Sequence, residues 1–219
     1  MSTITVLLAE DHMLVRKGIR RLLDDHPQLT VVAEAADGRA AVDAAARHRP
    51  DVALIDVTMP LLNGIEAARR IKQQRPQTKV LMLTMHENDQ YLLQSIKAGA
   101  TGYMLKEAAP NQLVEAIFAA HNDDPMPKSV FSRKLLDIYE RQEPPEAGYK
   151  SYERLTNRER EVLQLLAEGH TIQGIAELLG ISDKTVRTHR ANMMNKLELF
   201  GEAEVTLYAL RQGIISLGD

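Results

Sequence analysis

The chain has 219 residues, 44% of them apolar, and its 27 Lys and Arg against 30 Asp and Glu leave a formal net charge of −3. That length suits two domains of ordinary size, each with a core of its own, and the near balance of charge excludes a chain that is basic throughout, so any nucleic-acid surface has to be local. The absence of cysteine excludes disulfides and thiolate metal centres and fits a reducing cytoplasm, and no stretch approaches the roughly eighteen apolar residues of a membrane helix.

The first apolar run, Ile4 to Ala9, is closed by Glu10 and Asp11 and is too short for the core of a signal peptide. A helix is expected over residues 13–25, with Leu14, Ile19, Leu22 and Leu23 on one face. Further helices are expected over about 38–47, 64–74 and 90–97, stopped by Pro50, Pro76 and Gly99, and a fifth follows Pro110. Between them lie short apolar runs at 52–55, 80–83 and 103–105. The first 120 residues alternate short apolar runs with helical segments five times, which implies right-handed crossovers and a parallel sheet covered on both faces, an α/β, five-stranded doubly wound domain. Two breaks, Asn122 to Pro127 and Glu143 to Gly148, bound a linker with a short helix at about 132–140. From Thr156 the strand-like runs vanish and four short helices are expected, with turns near Gly169, Gly180 and Gly201. The expected domains are therefore 1–121, a linker at 122–150, and a small all-α domain at 151–219.

Polar residues fall at the ends of the strand-like runs: Glu10 and Asp11 after the first, Asp56, Thr84 and Lys106 after later ones. In an open α/β sheet the carboxyl ends of the strands share one edge, so these residues are expected to meet in one crevice. Asp56 is the candidate nucleophile, forming a mixed anhydride with a phosphoryl group. Glu10, Asp11 and Asp56 suit Mg²⁺, Lys106 places a positive charge on a phosphoryl oxygen, and the Thr84 hydroxyl donates to another. Each residue alone also reads as a cap or a turn; their joint position on consecutive strand ends carries the assignment.

In the C-terminal region, Thr156 and Glu159 have the spacing of a capping box ahead of the apolar positions Val162, Leu165 and Leu166. A helix over 171–179, a turn at Gly180 and a helix opened by Ser182 have helix-turn-helix spacing. Residues 184–196 hold Lys184, Arg187, Arg190 and Lys196 and no acid. Helical spacing puts Val186, Met193 and Leu197 inward and Lys184, Arg187, Thr188, Ala191 and Asn195 on another face, where they suit a major groove. Arg187 is expected to read guanine or hold phosphate, Thr188 and Ala191 to approach thymine methyls, and Lys184 and Lys196 to hold phosphates; Thr185 completes the DNA-binding set. His189 is expected to be packed or interfacial.

Residues 1 to about 120 resemble the receiver domain of bacterial response regulators, of flavodoxin- and CheY-like fold, through Leu8-Ala9-Glu10-Asp11-His12, the run from Leu54 to Pro60 with Asn63-Gly64, Leu83-Thr84, and the run from Gly99 to Lys106. Residues from about Leu155 to Leu199 resemble the LuxR-type helix-turn-helix, and the whole chain the NarL/FixJ type. The carrying runs are Leu155 to Leu163, Ile175 to Ser182 and Lys184 to Arg190. The resemblance implies phosphorylation of Asp56 by a sensor histidine kinase and Mg²⁺ held by Glu10, Asp11, Asp56 and the Thr58 main-chain carbonyl. It also implies a switch through Thr84 and Tyr103, promoter DNA and RNA polymerase as partners, a homodimer on phosphorylation, and a cytoplasmic regulator rather than an enzyme. Asn157 and Gly174 depart from the family pattern. An aspartate-nucleophile phosphatase needs a second aspartate two residues on, where this chain has Thr58; the remaining alternative is a phosphorylation-independent regulator or a protein-interaction module.

Overall fold

Strand β3 (Val52–Asp56) lies at the centre of a parallel five-stranded sheet with β1 (Ile4–Ala9), β2 (Leu29–Ala35), β4 (Lys79–Thr84) and β5 (Gly102–Leu105), in the order β2-β1-β3-β4-β5. The computed structural model describes residues 3–85, 89–124 and 152–215. Helices α1 (Met13–Asp24), α2 (Gly38–His48), α3 (Gly64–Gln74), α4 (Asp89–Lys97) and α5 (Pro110–Asn122) follow the five strands in turn.

The alternation of side chains along each strand accounts for the two layers of helix. Leu7, Ala9, Ala53, Ile55, Val80, Met82 and Tyr103 point to one face and form a core with Ala41, Ala45, Ile65, Ala68, Ile71 and Leu92. Val6, Leu8, Leu54, Leu81, Leu83 and Met104 point to the other and pack with Leu23, Leu113 and Ile117. A strand buried on both faces has no polar alternation, which is why β3 and β4 read as unbroken apolar runs. β2 is an edge strand and mixes exposed and buried positions.

One expected core position is corrected. Leu14 is 81% exposed, whereas Leu23 is fully buried and Ile19 and Leu22 pack partly against the core. Leu14 precedes Ile19 by five residues, about 140° around a helix, so it falls off the face that Ile19 and Leu22 share.

The chain divides into two compact units, residues 1–142 and 143–219. The expected linker helix at 132–140 lies outside the described residues. The second unit contains α6 (Asn157–Ala167), α7 (Ile172–Leu179), α8 (Asp183–Leu197) and α9 (Glu202–Arg211). Leu155, Leu163, Met193, Leu197, Val205 and Ala209 form its core with Tyr152 and Ile214. Thr156, Thr171 and Ser182 cap the first three of these helices, accepting from the amides of Glu159, Gly174 and Thr185. Gly180 ends α7 in the left-handed region at φ 64° and turns the chain toward α8. In α9, Val205 and Ala209 supply the buried face and Leu207 is exposed. Among the described residues no helix is long and apolar enough to cross a membrane.

Candidate functional sites

The parallel register brings the expected phosphoryl-site residues together. Ala9 pairs with Ile55, Asp56 with Leu83, and Thr84 with Leu105, so Glu10, Asp56, Thr84 and Lys106 end neighbouring strands at one edge. β1 and β3 flank the point where the strand order reverses, and a crevice opens at the carboxyl edge there. The start of α3 presses against this edge. A Cβ on Gly64 would lie 1.7 Å from the Asp56 carbonyl oxygen, so only glycine allows the approach. Asn63 accepts from the Glu66 amide and caps the helix at that point.

Glu10 and Asp56 are almost wholly buried, Asp11 is partly exposed, and Thr84 is buried. Lys106 Nζ lies 2.8 Å from Asp56 Oδ2 and 2.7 Å from Glu10 Oε2, and donates to Glu10 Oε1 at 2.9 Å. Asp56 Oδ1 is buried without a hydrogen-bond partner. Burial pushes the Asp56 carboxyl up to about 7, with the Glu10 charge adding to the rise and the Lys106 ammonium opposing it. Burial alone would lower Lys106, but the charges and hydrogen bonds of Asp56 and Glu10 more than reverse it, and the ammonium stays protonated.

Ligand atoms of Glu10, Asp11, His12 and Asp56 all lie within 4.8 Å of one another. Three carboxylates with an orphaned buried oxygen fit a small divalent cation, and Mg²⁺ prefers such oxygens. Thr58, the fourth expected metal position, is half-buried just beyond β3. Tyr103 is buried within the core between the sheet and α2–α4.

Two residues near this site escaped the sequence reading. His12 Nδ1 lies 2.8 Å from Asp11 Oδ1 and 3.2 Å from Glu10 Oε1. It follows the acidic pair directly, and that adjacency was the only signal. Tyr91, on α4, has its phenol pushed up by burial and by the charge of Asp56; helical spacing alone does not tie it to a strand end.

On α8, Val186, Met193 and Leu197 are buried, while Lys184, Arg187, Thr188, Ala191 and Asn195 are exposed along one side. Thr185 and His189 are half-buried, and the Thr185 hydroxyl hydrogen-bonds that of Ser182 at 2.8 Å. The Thr188 hydroxyl donates to the Lys184 carbonyl, leaving its methyl as its apolar contribution. Lys196 is half-buried and has partners within the domain. Its Nζ donates to Glu159 Oε2 at 2.7 Å and to the Arg154 carbonyl at 3.3 Å. Glu159 also accepts from the Thr156 amide, so the capping box of α6 is tied to the last turn of α8. Burial would raise the Glu159 carboxyl, but Lys196 and the Thr156 hydrogen bonds draw it below its ordinary range.

Residues 6–118 match the family described as response regulator receiver domain, and residues 153–209 the family described as bacterial regulatory proteins, luxR family. The transcriptional regulatory protein DegU of Brevibacillus brevis is 34% identical over 98% of this chain and 96% of its own length. The response regulator UvrY of Escherichia coli K12 is 36% identical over 96% of this chain and 95% of its own. Among solved structures, RcsB of Salmonella enterica serovar Typhimurium, bound to promoter rprA in the presence of phosphomimetic BeF3⁻, matches with a TM-score of 0.59 at 30% identity. That match covers 94% of this chain and 98% of the RcsB chain.

Proposed function

The chain belongs to the response regulators of the NarL/FixJ type, transcription regulators that join a receiver domain to a LuxR-type helix-turn-helix, and on that premise we propose that phosphorylation of Asp56 by a sensor histidine kinase controls its binding to promoter DNA. The observation that carries the reading is the approach of the Lys106 ammonium to Asp56 and Glu10 at the sheet edge, beside an Asp56 oxygen with no partner. The large majority of buried acceptors in folded proteins are hydrogen-bonded, and Asp56 Oδ1 is an exception.

In the proposed reaction an Asp56 oxygen attacks phosphorus and forms the acyl phosphate, while the bond from phosphorus to the kinase imidazole breaks and its electron pair returns to that ring nitrogen. Glu10, Asp11, Asp56 and the Thr58 carbonyl are the residues that would hold Mg²⁺, which neutralises charge on the phosphoryl oxygens. Lys106 exchanges its carboxylate contact for a phosphoryl oxygen, and Thr84 donates to another. Tyr103 fills the space that Thr84 leaves and passes the change to the surface beside β5. Residues 1–121 form the receiver, 122–150 the linker and 151–219 the DNA-binding domain. Lys184, Thr185, Arg187, Thr188, Ala191 and Lys196 are the proposed DNA contacts, with phosphorylation favouring a homodimer that engages RNA polymerase.

Labelling tests the acceptor. With acetyl phosphate and Mg²⁺, the protein should gain one alkali-labile phosphoryl group, and Asp56→Asn should gain none. Equal labelling of the variant would overturn the assignment.

A further inference from the structure

We propose that His12 supplies a nitrogen ligand to the acidic pocket and gives this receiver a preference for Co²⁺ or Zn²⁺ over Mg²⁺ that its carboxylates alone would not set. The inference rests on the reading of that pocket as a divalent-cation site. His12 stands at the N-cap of α1, directly after the acidic pair. Its backbone amide donates to Glu10 Oε1 at 3.2 Å, which closes the turn from Glu10 to His12 on itself. The same turn brings His12 Nδ1 to 2.8 Å from Asp11 Oδ1 and 3.2 Å from Glu10 Oε1. One donor atom from each of Glu10, Asp11, His12 and Asp56 lies within 4.8 Å of the others, a span that a single ion with bonds of about 2.0–2.2 Å nearly bridges.

The second, independent observation is Asp56. Its side chain is 1% exposed, and Oδ1 is buried with no hydrogen-bond partner. An anionic oxygen enclosed in that way gains from a second cation beside the Lys106 ammonium. The donor set decides which cation. Mg²⁺ demands oxygen and keeps much of its water shell, whereas imidazole suits Zn²⁺, Co²⁺ and Ni²⁺. The His12 side chain is 63% exposed, so it can turn toward the ion without being desolvated first.

Calorimetric titration of the full chain at pH 8 with MgCl₂ or CoCl₂ alone tests the proposal, in the wild type, His12→Gln and His12→Phe. Only Co²⁺ that excess Mg²⁺ displaces is counted, which sets aside the other six histidines. Both variants should keep Mg²⁺ affinity within about twofold and lose at least about tenfold for Co²⁺, the loss typical even of an outer-shell partner. The visible spectrum of the bound Co²⁺ should change with the variants, since a nitrogen donor is replaced by water. Unchanged Co²⁺ affinity would overturn the proposal. A rise in affinity for both ions would also overturn it, because His12 would then be a counter-charge standing where the metal goes. An equal fall for both ions would overturn it too, making His12 an organiser of the carboxylates. If neither ion binds the wild type, the reading of the acidic pocket itself fails.

Discussion

The Asp56 carboxyl, raised to about 7 by burial and then by Glu10, reverses the common pH dependence of a folded carboxylate. Its folded pKa lies above the ordinary value of 3.8, so between about pH 4 and 7 the native state binds the extra proton. In metal-free protein the Asp56 contribution is therefore complete below pH 4 and is lost as pH rises to about 7, by a few kcal/mol at most. Thermal unfolding in chelator should show this loss in the wild type and a flatter profile in Asp56→Asn, with Mg²⁺ restoring the wild type at pH 8. A wild-type profile that rises across the same window would contradict the assigned environment. Lys106 behaves differently from a residue that waits for phosphate, because it already pairs with both Glu10 and Asp56. Lys106→Ala strands two buried carboxylates and should cost roughly 3–5 kcal/mol without metal. With Mg²⁺ present it should fold, bind beryllofluoride, and shift its monomer–dimer balance far less than the wild type. Equal dimerisation of the two proteins would remove Lys106 from the switch.

At the scale of elements, the strand ends were legible because a buried parallel strand tolerates no polar residue, so the first one marks where the chain leaves the sheet. Helix ends were legible for a related reason. Asn63, Thr156, Thr171 and Ser182 each cap a helix with a side-chain oxygen, and capping residues announce themselves in sequence. What periodicity does not carry is the direction of a side chain in a turn, as at His12, or a long-range partner, as for Lys196 and Glu159. An apolar residue at a helix start counts toward periodicity whether or not anything covers it, and Leu14 is left exposed. The contact of α3 with β3 admits only glycine, and Gly64→Ala should cost roughly 3 kcal/mol or more, read by chemical unfolding. A loss below about 1 kcal/mol would mean that the helix start moves freely. Glu159→Ala removes both the cap partner and the anchor of Lys196, and should cost about 1–2 kcal/mol in the same experiment.

For the whole molecule, a net charge of −3 conceals a basic helix face, so DNA affinity should follow that face rather than the total. Lys184→Ala should flatten the salt dependence by about 0.9 for its phosphate contact, and Lys196→Ala by less, because Glu159 holds that ammonium. Arg187→Ala should also relax base preference, at roughly 1–3 kcal/mol if it pairs with guanine. Paired half-sites about 10 base pairs apart suit a dimer that presents two copies of α8. Binding across a salt series on specific and scrambled duplexes separates these effects. Chemistry at Asp56 is expected to govern DNA binding by α8. The most direct test is the capture of sheared genomic DNA by the purified full chain, with and without beryllofluoride and Mg²⁺, in the wild type and in Asp56→Asn. Beryllofluoride should enrich a small set of fragments in the wild type alone. The same fragments at the same yield in all four samples would contradict it.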